Sequence, residues 1–227
     1  MWSIPPDMNA GEILTELRAS ANPANVRGMA RYGISTRGTL GVPVAELRRL
    51  ARCIGRDHAL ALELWDSGVH EARILATIID EPARVTRRQM NAWAVDFDSW
   101  DVCDQACQNL FRFTPHAWTM AARWACAKRE FVRRAGFSLM AGLAVKAKDA
   151  PDARFEALFP LIAAAATDER KMVRKAVNWA LRAIGKRNVR LRGEAIAAAE
   201  KIRKVDSPAA RWIAADALRE LRQAKAD

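Results

Sequence analysis

The sequence predicts an all-α protein, and three observations lead to this fold class. Apolar residues recur at helical spacing along almost the whole chain, which is dominated by Ala, Leu, Arg, Glu and Lys. No segment alternates apolar and polar residues for long enough to predict a sheet. Proline or glycine interrupts the pattern about every 12 to 20 residues, so we expect about a dozen short helices.

The interruptions separate successive helices along the chain. Each one breaks backbone hydrogen bonding or supplies an N-cap for the helix that follows. In chain order they are Asn22-Pro23, Gly41-Val42-Pro43, Asp80-Glu81-Pro82, Thr114-Pro115, Ala150-Pro151-Asp152, Gly185 and Ser207-Pro208. No domain boundary is evident among them, so we expect residues 1–227 to form a single domain.

A short pattern occurs three times and indicates an internal repeat. Residues 131–135 (FVRRA) match residues 172–176 (MVRKA), 41 positions later, and a weaker echo at residues 209–212 follows after 37 more. A period of about 40 residues with two helices per unit is typical of HEAT-like or armadillo-type helical solenoids. Stacked units would line one face with the cations that recur in this pattern. Chance similarity among Ala- and Arg-rich helices is the alternative explanation.

Composition favours an anionic partner. The 227 residues carry a formal charge of +11 and a pI of about 10.2, which attracts polyanions, although a merely soluble basic protein would show the same. Residues 1–10 lack the apolar core of a signal peptide, and no stretch approaches 18 uninterrupted apolar residues. We therefore expect a cytoplasmic protein that does not bind membranes.

The cysteines and histidines do not suggest a metal site. The four cysteines form no Cys-x-x-Cys pair, and the three histidines show no ligand spacing with them or with each other. We expect reduced and mostly buried thiols, no metal and no cofactor.

Residues 170–192 carry the clearest functional signal, because they contain nine Lys or Arg and no acidic residue. A helix at least as far as Ile184 is predicted by the apolar stripe Val173, Val177, Ala180 and Ile184. Trp179 lies outside this stripe, in the row formed with Lys175, Arg182 and Lys186. A large aromatic among cations is explained well by an anionic ligand that also offers rings for stacking, which describes nucleic acid.

A second signal lies in residues 96–105. Asp98 or Ser99 can cap a helix here, and Asp101 fits its first turn, with the acidic run mostly solvated. Trp100 and Asp104 share one face. They lie beside a stripe predicted to be buried, formed by Cys103, Ala106, Cys107 and Leu110. Taken alone, this segment is explained better by a helix anchor and a solvated carboxylate than by a catalytic pair.

In combination, these segments resemble the AlkD family of DNA alkylation-repair glycosylases. The resemblance rests on Trp100-x-x-x-Asp104, on Val132-Arg133-Arg134-Ala135, on residues 175–182 (KAVNWALR), and on Tyr32 some ten residues before Leu40-Gly41-Val42-Pro43. The motifs occur in the family's order and span most of the chain. The resemblance implies a HEAT-like solenoid that hydrolyses the N-glycosidic bond of N3- and N7-alkylated purines without drawing the damaged base into a pocket.

The resemblance also implies roles for single residues. Trp100 and Trp179 would flank the sugar of the damaged nucleotide, Asp104 would be the catalytic aspartate, and Arg134 would hold a backbone phosphate. Tyr32 would pack near the damaged site. The other predicted DNA contacts are Arg133, Lys171, Arg174, Lys175, Arg182 and Lys186. Pro43 departs from the pattern, since a polar side chain able to touch the duplex is expected there.

These roles suit the chemistry. Alkylation at N3 or N7 makes the purine cationic, so it leaves readily, and the enzyme has to stabilise the oxocarbenium-like sugar. Indole faces and a carboxylate do this. We expect a monofunctional hydrolase of base excision repair that acts as a monomer on duplex DNA containing alkylated purines and leaves an abasic site.

Two other functions stay open at this stage. A non-catalytic HEAT-like module that binds nucleic acid would explain the charge equally well, but not the pairing of Trp100 with Asp104. A solenoid that binds proteins is a common use of such arrays, and the high pI and the acid-free segment argue against it.

Overall fold

The computed structural model describes residues 8–223, and within this range it contains fourteen α-helices, one short 3-10 helix and no strand. The predicted all-α class is therefore confirmed. None of these helices is both long enough and apolar enough to cross a bilayer. Backbone packing divides the chain into two compact units, Met1–Thr114 and Pro115–Asp227, so that the division falls at one of the predicted proline interruptions. A single domain over the whole chain stays a prediction.

Unit 1 is built around one buried helix. Its helices are α1 (Ala10–Ala19), α2 (Pro23–Ala30), α3 (Val44–Ile54), α4 (His58–Asp66), α5 (His70–Ile79), α6 (Arg87–Val95), α7 (Trp100–Asn109) and the 3-10 turn Phe111–Phe113. Eight of the ten residues of α5 are buried, and this helix packs against α1, α3, α4 and α7. Residues at its two ends therefore reach several elements at once.

Two of the predicted interruptions in unit 1 begin helices by different means. The side chain of Asn22 accepts hydrogen bonds from the backbone of Ala24 and Asn25, and Pro23 occupies the first turn, where its missing N–H is not needed. Pro43 precedes α3 in an extended conformation and offers no side-chain cap. The start of α3 consequently exposes a proline ring in place of a polar group.

Unit 2 repeats one helical arrangement. Its helices are α8 (Ala117–Ala125), α9 (Glu130–Lys146), α10 (Asp152–Glu156), α11 (Phe159–Ala164), α12 (Lys171–Gly185), α13 (Val189–Arg203) and α14 (Pro208–Gln223). Helix α9 packs against α12, and α12 packs against α14. The three copies of the sequence pattern start these three helices, and Val132, Val173 and Ala210 are buried at equivalent positions. The 40-residue pattern is thus a repeat in three dimensions.

Close helix packing in unit 2 requires glycine at two positions. A Cβ at Gly136 in α9 would lie 2.8 Å from the carbonyl carbon of Trp124 and 2.9 Å from Cα of Ala125, both in α8. A Cβ at Gly185 would lie 2.8 Å from side-chain atoms of Ala195 and Leu221. Neither glycine has a positive φ, so contact distance and not backbone conformation selects it.

We predict that Gly136→Ala destabilises the protein by about 1–3 kcal/mol, because backbone atoms of α8 have to move to admit the methyl group. Denaturant unfolding would measure the change. Gly193→Ala is the matched control, since a Cβ there meets nothing within 4 Å and α13 is otherwise regular. It should stabilise by about 0.5–1 kcal/mol through helix propensity. Equal effects from the two substitutions would contradict the packing argument.

Candidate functional site

Unit 1 contains an open groove of about 610 Å³. One wall is α2 and the turn that follows it, a second is the segment leading into α3, and the third is the start of α7. Its lining residues are Ala24, Asn25, Gly28, Met29, Tyr32, Ile34, Gly41, Val42, Pro43, Val44, Trp100, Asp101, Asp104 and Gln105. Most of them are apolar, and the polar groups converge on the α7 side. Tyr32, Trp100 and Asp104 are therefore brought together, as predicted.

Trp100 joins two walls of the groove. Its indole N–H donates a hydrogen bond of 3.1 Å to the backbone carbonyl of Tyr32, although 68 residues separate the two in sequence. The Tyr32 side chain is 74% exposed, so its ring is available to a ligand. Trp100 is half-buried, which leaves part of the indole at the groove surface.

Asp104 lies one helical turn after Trp100 and lines the same groove. The stripe predicted to be buried beside this pair is buried completely, with 0% exposure at Cys103, Ala106, Cys107 and Leu110. That burial fixes the rotation of α7 and leaves Asp104 half-buried at the edge of the core. The predicted orientation of α7 is confirmed, while the catalytic role of Asp104 stays a prediction.

Asp101 is not the solvated first-turn residue that the sequence suggested. Its carboxylate lies 2.8 Å from Nε2 of His70, whose side chain is only 2% exposed, and it also accepts a 2.8 Å hydrogen bond from the Ser99 hydroxyl. Burial opposes ionisation of this carboxyl. The hydrogen bond and charge of His70, with hydrogen bonds from Ser99 and the Val102 backbone, outweigh burial and lower the pKa of Asp101.

The same pair acts on the imidazole of His70. Burial disfavours its cationic form, but the hydrogen bond and charge of Asp101, with the charges of Glu71 and Asp98, raise the pKa of His70 above its ordinary value. The pairing could not be found by spacing rules, because 31 residues separate the partners.

Glu71 holds the segment that forms the second wall. Its buried carboxylate accepts hydrogen bonds from the backbone N–H groups of Leu40 at 2.8 Å and Gly41 at 2.6 Å. Arg73, two residues farther along α5, pairs with Asp96 and lies over the ring of Trp65.

Helix α2 is an exposed wall with basic side chains. It buries no residue of its own, and Asn22 and Asn25 attach it through hydrogen bonds to the carbonyls of Leu40 and Gly41. Three exposed arginines lie on α2 and the segment after it, at Arg27, Arg31 and Arg37. Sequence reasoning missed them. The signal was present, since residues 18–45 contain four arginines and no acidic residue.

Unit 2 contains the other predicted residues. Trp179 lies half-buried on the face of α12 opposite the buried stripe, which confirms its predicted orientation. Lys171 and Lys175 are exposed on the same helix and form no ion pair with any residue in the described range. They are the cations of α12 best placed to meet an external anion.

Acidic residues from α14 neutralise two cations near Trp179. Arg182 pairs with Glu220 and lies 3.7 Å from Asp216, and Lys186 pairs with the same Glu220. The positive charge of the acid-free segment is therefore partly neutralised by acidic residues that lie about 38 positions farther along the chain. The predicted DNA contacts at Arg182 and Lys186 stay predictions, with an intramolecular partner that competes for each.

The arginines of the repeated pattern have structural partners. Arg133 donates to the carbonyl of Ala125 and pairs with Asp168 at 3.0 Å. Arg134 is only 6% exposed, and its Nη1 donates to the carbonyl of Met172 at 2.6 Å. The phosphate contact that the resemblance implies for Arg134 stays a prediction. Its small exposed surface leaves little room for such a contact.

Arg174, at the position in the repeat equivalent to Arg133, lies over the ring of Trp212 with 4.8 Å between Cζ and the ring centroid. Cation–π contacts of this kind hold the guanidinium at the surface without neutralising its charge. Arg174 can therefore still meet an anion, unlike an arginine paired with a carboxylate.

Among residues 8–223, no group of three or more histidine, cysteine, aspartate or glutamate side chains is arranged so that it could hold a metal ion. All four cysteines are free thiols. Cys103 and Cys107 are buried as expected, whereas Cys53 and Cys126 are exposed, so the prediction of mostly buried thiols is right for only two of them.

Comparison with known proteins identifies relatives. A family model described as DNA alkylation repair enzyme matches residues 13–221. A solved structure described as a new family related to the HEAT-like repeat DNA glycosylases, with affinity for branched DNA structures, covers 96% of this chain and 98% of its own, with a TM-score of 0.78 and 17% identity. The match to a designed armadillo repeat protein covers 78% of this chain and 86% of that protein, with a TM-score of 0.40 and 13% sequence identity. Curated proteins give no significant match. The first of these structures shows that the fold is HEAT-like.

We predict that Glu71→Gln destabilises the protein by about 1–3 kcal/mol, because an amide NH₂ replaces one of the two acceptors and leaves a backbone N–H unpaired. Urea unfolding would measure the loss. The exposed Glu63 provides the control, since Glu63→Gln removes one carboxylate without touching a backbone group. Similar stabilities of the two variants would show that Glu71 does not fix the Leu40–Gly41 wall.

Proposed function

We propose that this chain, which belongs to the family of DNA alkylation repair enzymes, is a DNA glycosylase that hydrolyses the N-glycosidic bond of N3- or N7-alkylated purines in duplex DNA. The family supports a role in DNA repair. The observation that carries the finer proposal is the convergence of Trp100, Asp104 and Tyr32 on one open groove. The product would be an abasic site.

The chemistry follows from the charge of the substrate. An alkylated purine already carries the positive charge that makes it a good leaving group, so no general acid is required. The developing oxocarbenium-like sugar needs a nearby anion and a polarisable surface. Asp104 supplies the carboxylate, which can also orient the attacking water, and the Trp100 indole face contributes roughly 1–2 kcal/mol of attraction to a desolvated cation.

The apolar lining of the groove supports a reaction at the sugar without base flipping. Enzymes that extrude a base need hydrogen-bonding walls around its Watson–Crick edge. The walls away from α7 are mainly aliphatic, formed by residues such as Met29, Ile34, Val42 and Pro43. The Pro43 ring extends this apolar surface, which explains how a proline is accommodated where a polar DNA contact was expected.

Duplex binding would come from exposed cations in both units. In unit 1 these are Arg27, Arg31 and Arg37 on α2 and the segment after it, which also carries the exposed Tyr32. In unit 2 they are Lys171 and Lys175 on α12, the helix that carries Trp179. Phosphate contacts of this kind bind the backbone without reading sequence. The roles of Trp179 against the sugar and of Arg134 at a phosphate belong to the same proposal and rest on the family resemblance.

A non-catalytic DNA-binding module is the competing function. The structural relative with affinity for branched DNA has this fold, and at 17% identity the likeness concerns the fold alone. The module requires the exposed cations but gives no reason for a carboxylate beside Trp100 at the groove. Activity measurements on Asp104 variants therefore separate the two functions.

We expect Asp104→Asn to retain duplex affinity and to release 7-methylguanine at least about 100-fold more slowly than wild type, because the transition-state cation loses its counter-charge. Single-turnover release from a defined duplex measures the rate. Asp66→Asn removes an equal charge at the exposed end of α4 and should leave the rate unchanged. Wild-type activity in Asp104→Asn would exclude this carboxylate, and tight binding with no release by wild type would favour the module.

A second test concerns Arg182 and Lys186. Glu220→Gln frees Lys186 and leaves Arg182 only its 3.7 Å contact with Asp216, so we expect duplex binding to tighten about 2- to 5-fold at low salt, with a steeper salt dependence. Glu200→Gln is the matched control, because Glu200 also serves two cations, Arg203 and Arg222, and the change in net charge is the same. If both variants gained the same duplex affinity, the gain would come from the change in net charge alone. Arg182 and Lys186 would then not belong to the proposed interface.

A further inference from the structure

The first turn of α5 connects two walls of the groove. The backbone N–H of His70 donates to the carbonyl of Gly38 at 2.9 Å, and the Glu71 carboxylate holds the next part of the same segment at Leu40 and Gly41. The His70 ring points the other way, to Asp101 in the first turn of α7. Two consecutive residues thus fix both the segment before α3 and the helix that carries Trp100 and Asp104.

We propose that His70 is a positioning residue that clamps the start of α7 through Asp101, and that its protonation sets how firmly Trp100 and Asp104 are held at the groove. This inference rests on the proposed glycosylase function for its rate effects, while the clamp itself is a property of unit 1. His70 does not line the groove, whereas Asp101 does. It therefore acts through Asp101 and does not contact the substrate.

Both oxygens of the Asp101 carboxylate are engaged, which restrains the first turn of α7. Asp101 uses one carboxylate oxygen for His70 and the other for Ser99, a residue with 0% exposure that immediately precedes α7. Loss of the imidazole partner would leave a mostly buried carboxylate without its charged donor, which costs more than the loss of an exposed pair. Relief of that cost requires the first turn of α7 to move toward water, and Trp100 is the first residue of this turn.

The sign of the pH dependence follows from the surroundings of the ring. The charged groups that act on it are Asp101 and Asp98 at the start of α7 and Glu71 on α5 itself, all of them acidic. Because the pKa of His70 is raised in the folded protein, its stabilising effect is fully present below the ordinary histidine pKa and is lost as pH rises through the raised value. The clamp should therefore loosen as pH rises through the raised pKa of His70.

A matched pair elsewhere in unit 1 provides the control. His58 lies 2.6 Å from the buried carboxylate of Asp80, with its side chain 14% exposed. This pair joins the start of α4 to the segment after α5, and neither residue lines the groove. His58→Gln and His70→Gln therefore remove the same kind of interaction, and only the second removes the clamp.

The first experiment measures hydrogen exchange by mass spectrometry at one pH. In His70→Gln, peptides covering residues 100–109 should exchange about tenfold faster than in wild type, because only the ring contact to Asp101 is lost, and those peptides should be unchanged in His58→Gln. Unchanged exchange in His70→Gln, or equal acceleration in both variants, would overturn the clamp. This result does not depend on catalysis.

The second experiment measures single-turnover release of 7-methylguanine against pH. Wild type and His58→Gln should slow about 3- to 10-fold as pH rises through the titration midpoint of His70, which NMR of the imidazole in wild type provides. His70→Gln should be slower at low pH and show no such step. A step retained in His70→Gln would overturn the proposal, whereas no release by wild type at any pH would refute the glycosylase function and leave hydrogen exchange to decide on the clamp.

Discussion

Unit 2 depends on a small number of carboxylates to neutralise its many positively charged side chains. The chain has 37 basic and 26 acidic residues, so it cannot give every cation its own carboxylate. Four acids in unit 2 each serve two cations: Asp168 serves Arg133 and Arg170, Asp216 serves Arg182 and Arg219, Glu220 serves Arg182 and Lys186, and Glu200 serves Arg203 and Arg222. Sharing leaves an excess of positive charge at chosen positions, such as Lys171 and Lys175, while packed helices avoid mutual repulsion.

Shared acids also alter what a basic sequence means. Asp168 is mostly buried between two guanidinium groups. Burial opposes its ionisation, but hydrogen bonds and charge from Arg170, with the charge of Arg133, lower its pKa. Arg133 therefore holds two parts of unit 2 together. A run of cations in a repeat protein thus contains both structural and ligand-binding members, and only their partners in space distinguish the two.

The features that depend on the periodicity of a single helix could be predicted from the sequence. The helical spacing predicted the buried stripe of α7 and the outward position of Trp179, because both follow from rotation about one helix axis. It could not supply contacts between distant segments, such as Asp101 with His70 or Glu71 with Leu40, since no spacing rule relates residues that lie 31 apart in different segments. The groove could be assembled only in part for the same reason: Tyr32, Trp100 and Asp104 were identified, and α2 with its arginines was not.

The hydrogen bonds between neighbouring repeats have a consequence for how unit 2 assembles. Arg134 with Met172, Asn178 with Asp216 and Arg182 with Glu220 each join residues 38 apart, which is close to the repeat period of about 40. Because each of these contacts joins neighbouring repeats, one helix pair can fold against the pair before it. Folding can then proceed along unit 2 from repeat to repeat, without contacts between residues far apart in sequence. Growth of this kind tolerates gain or loss of a whole repeat, because each helix pair depends mainly on the pair next to it.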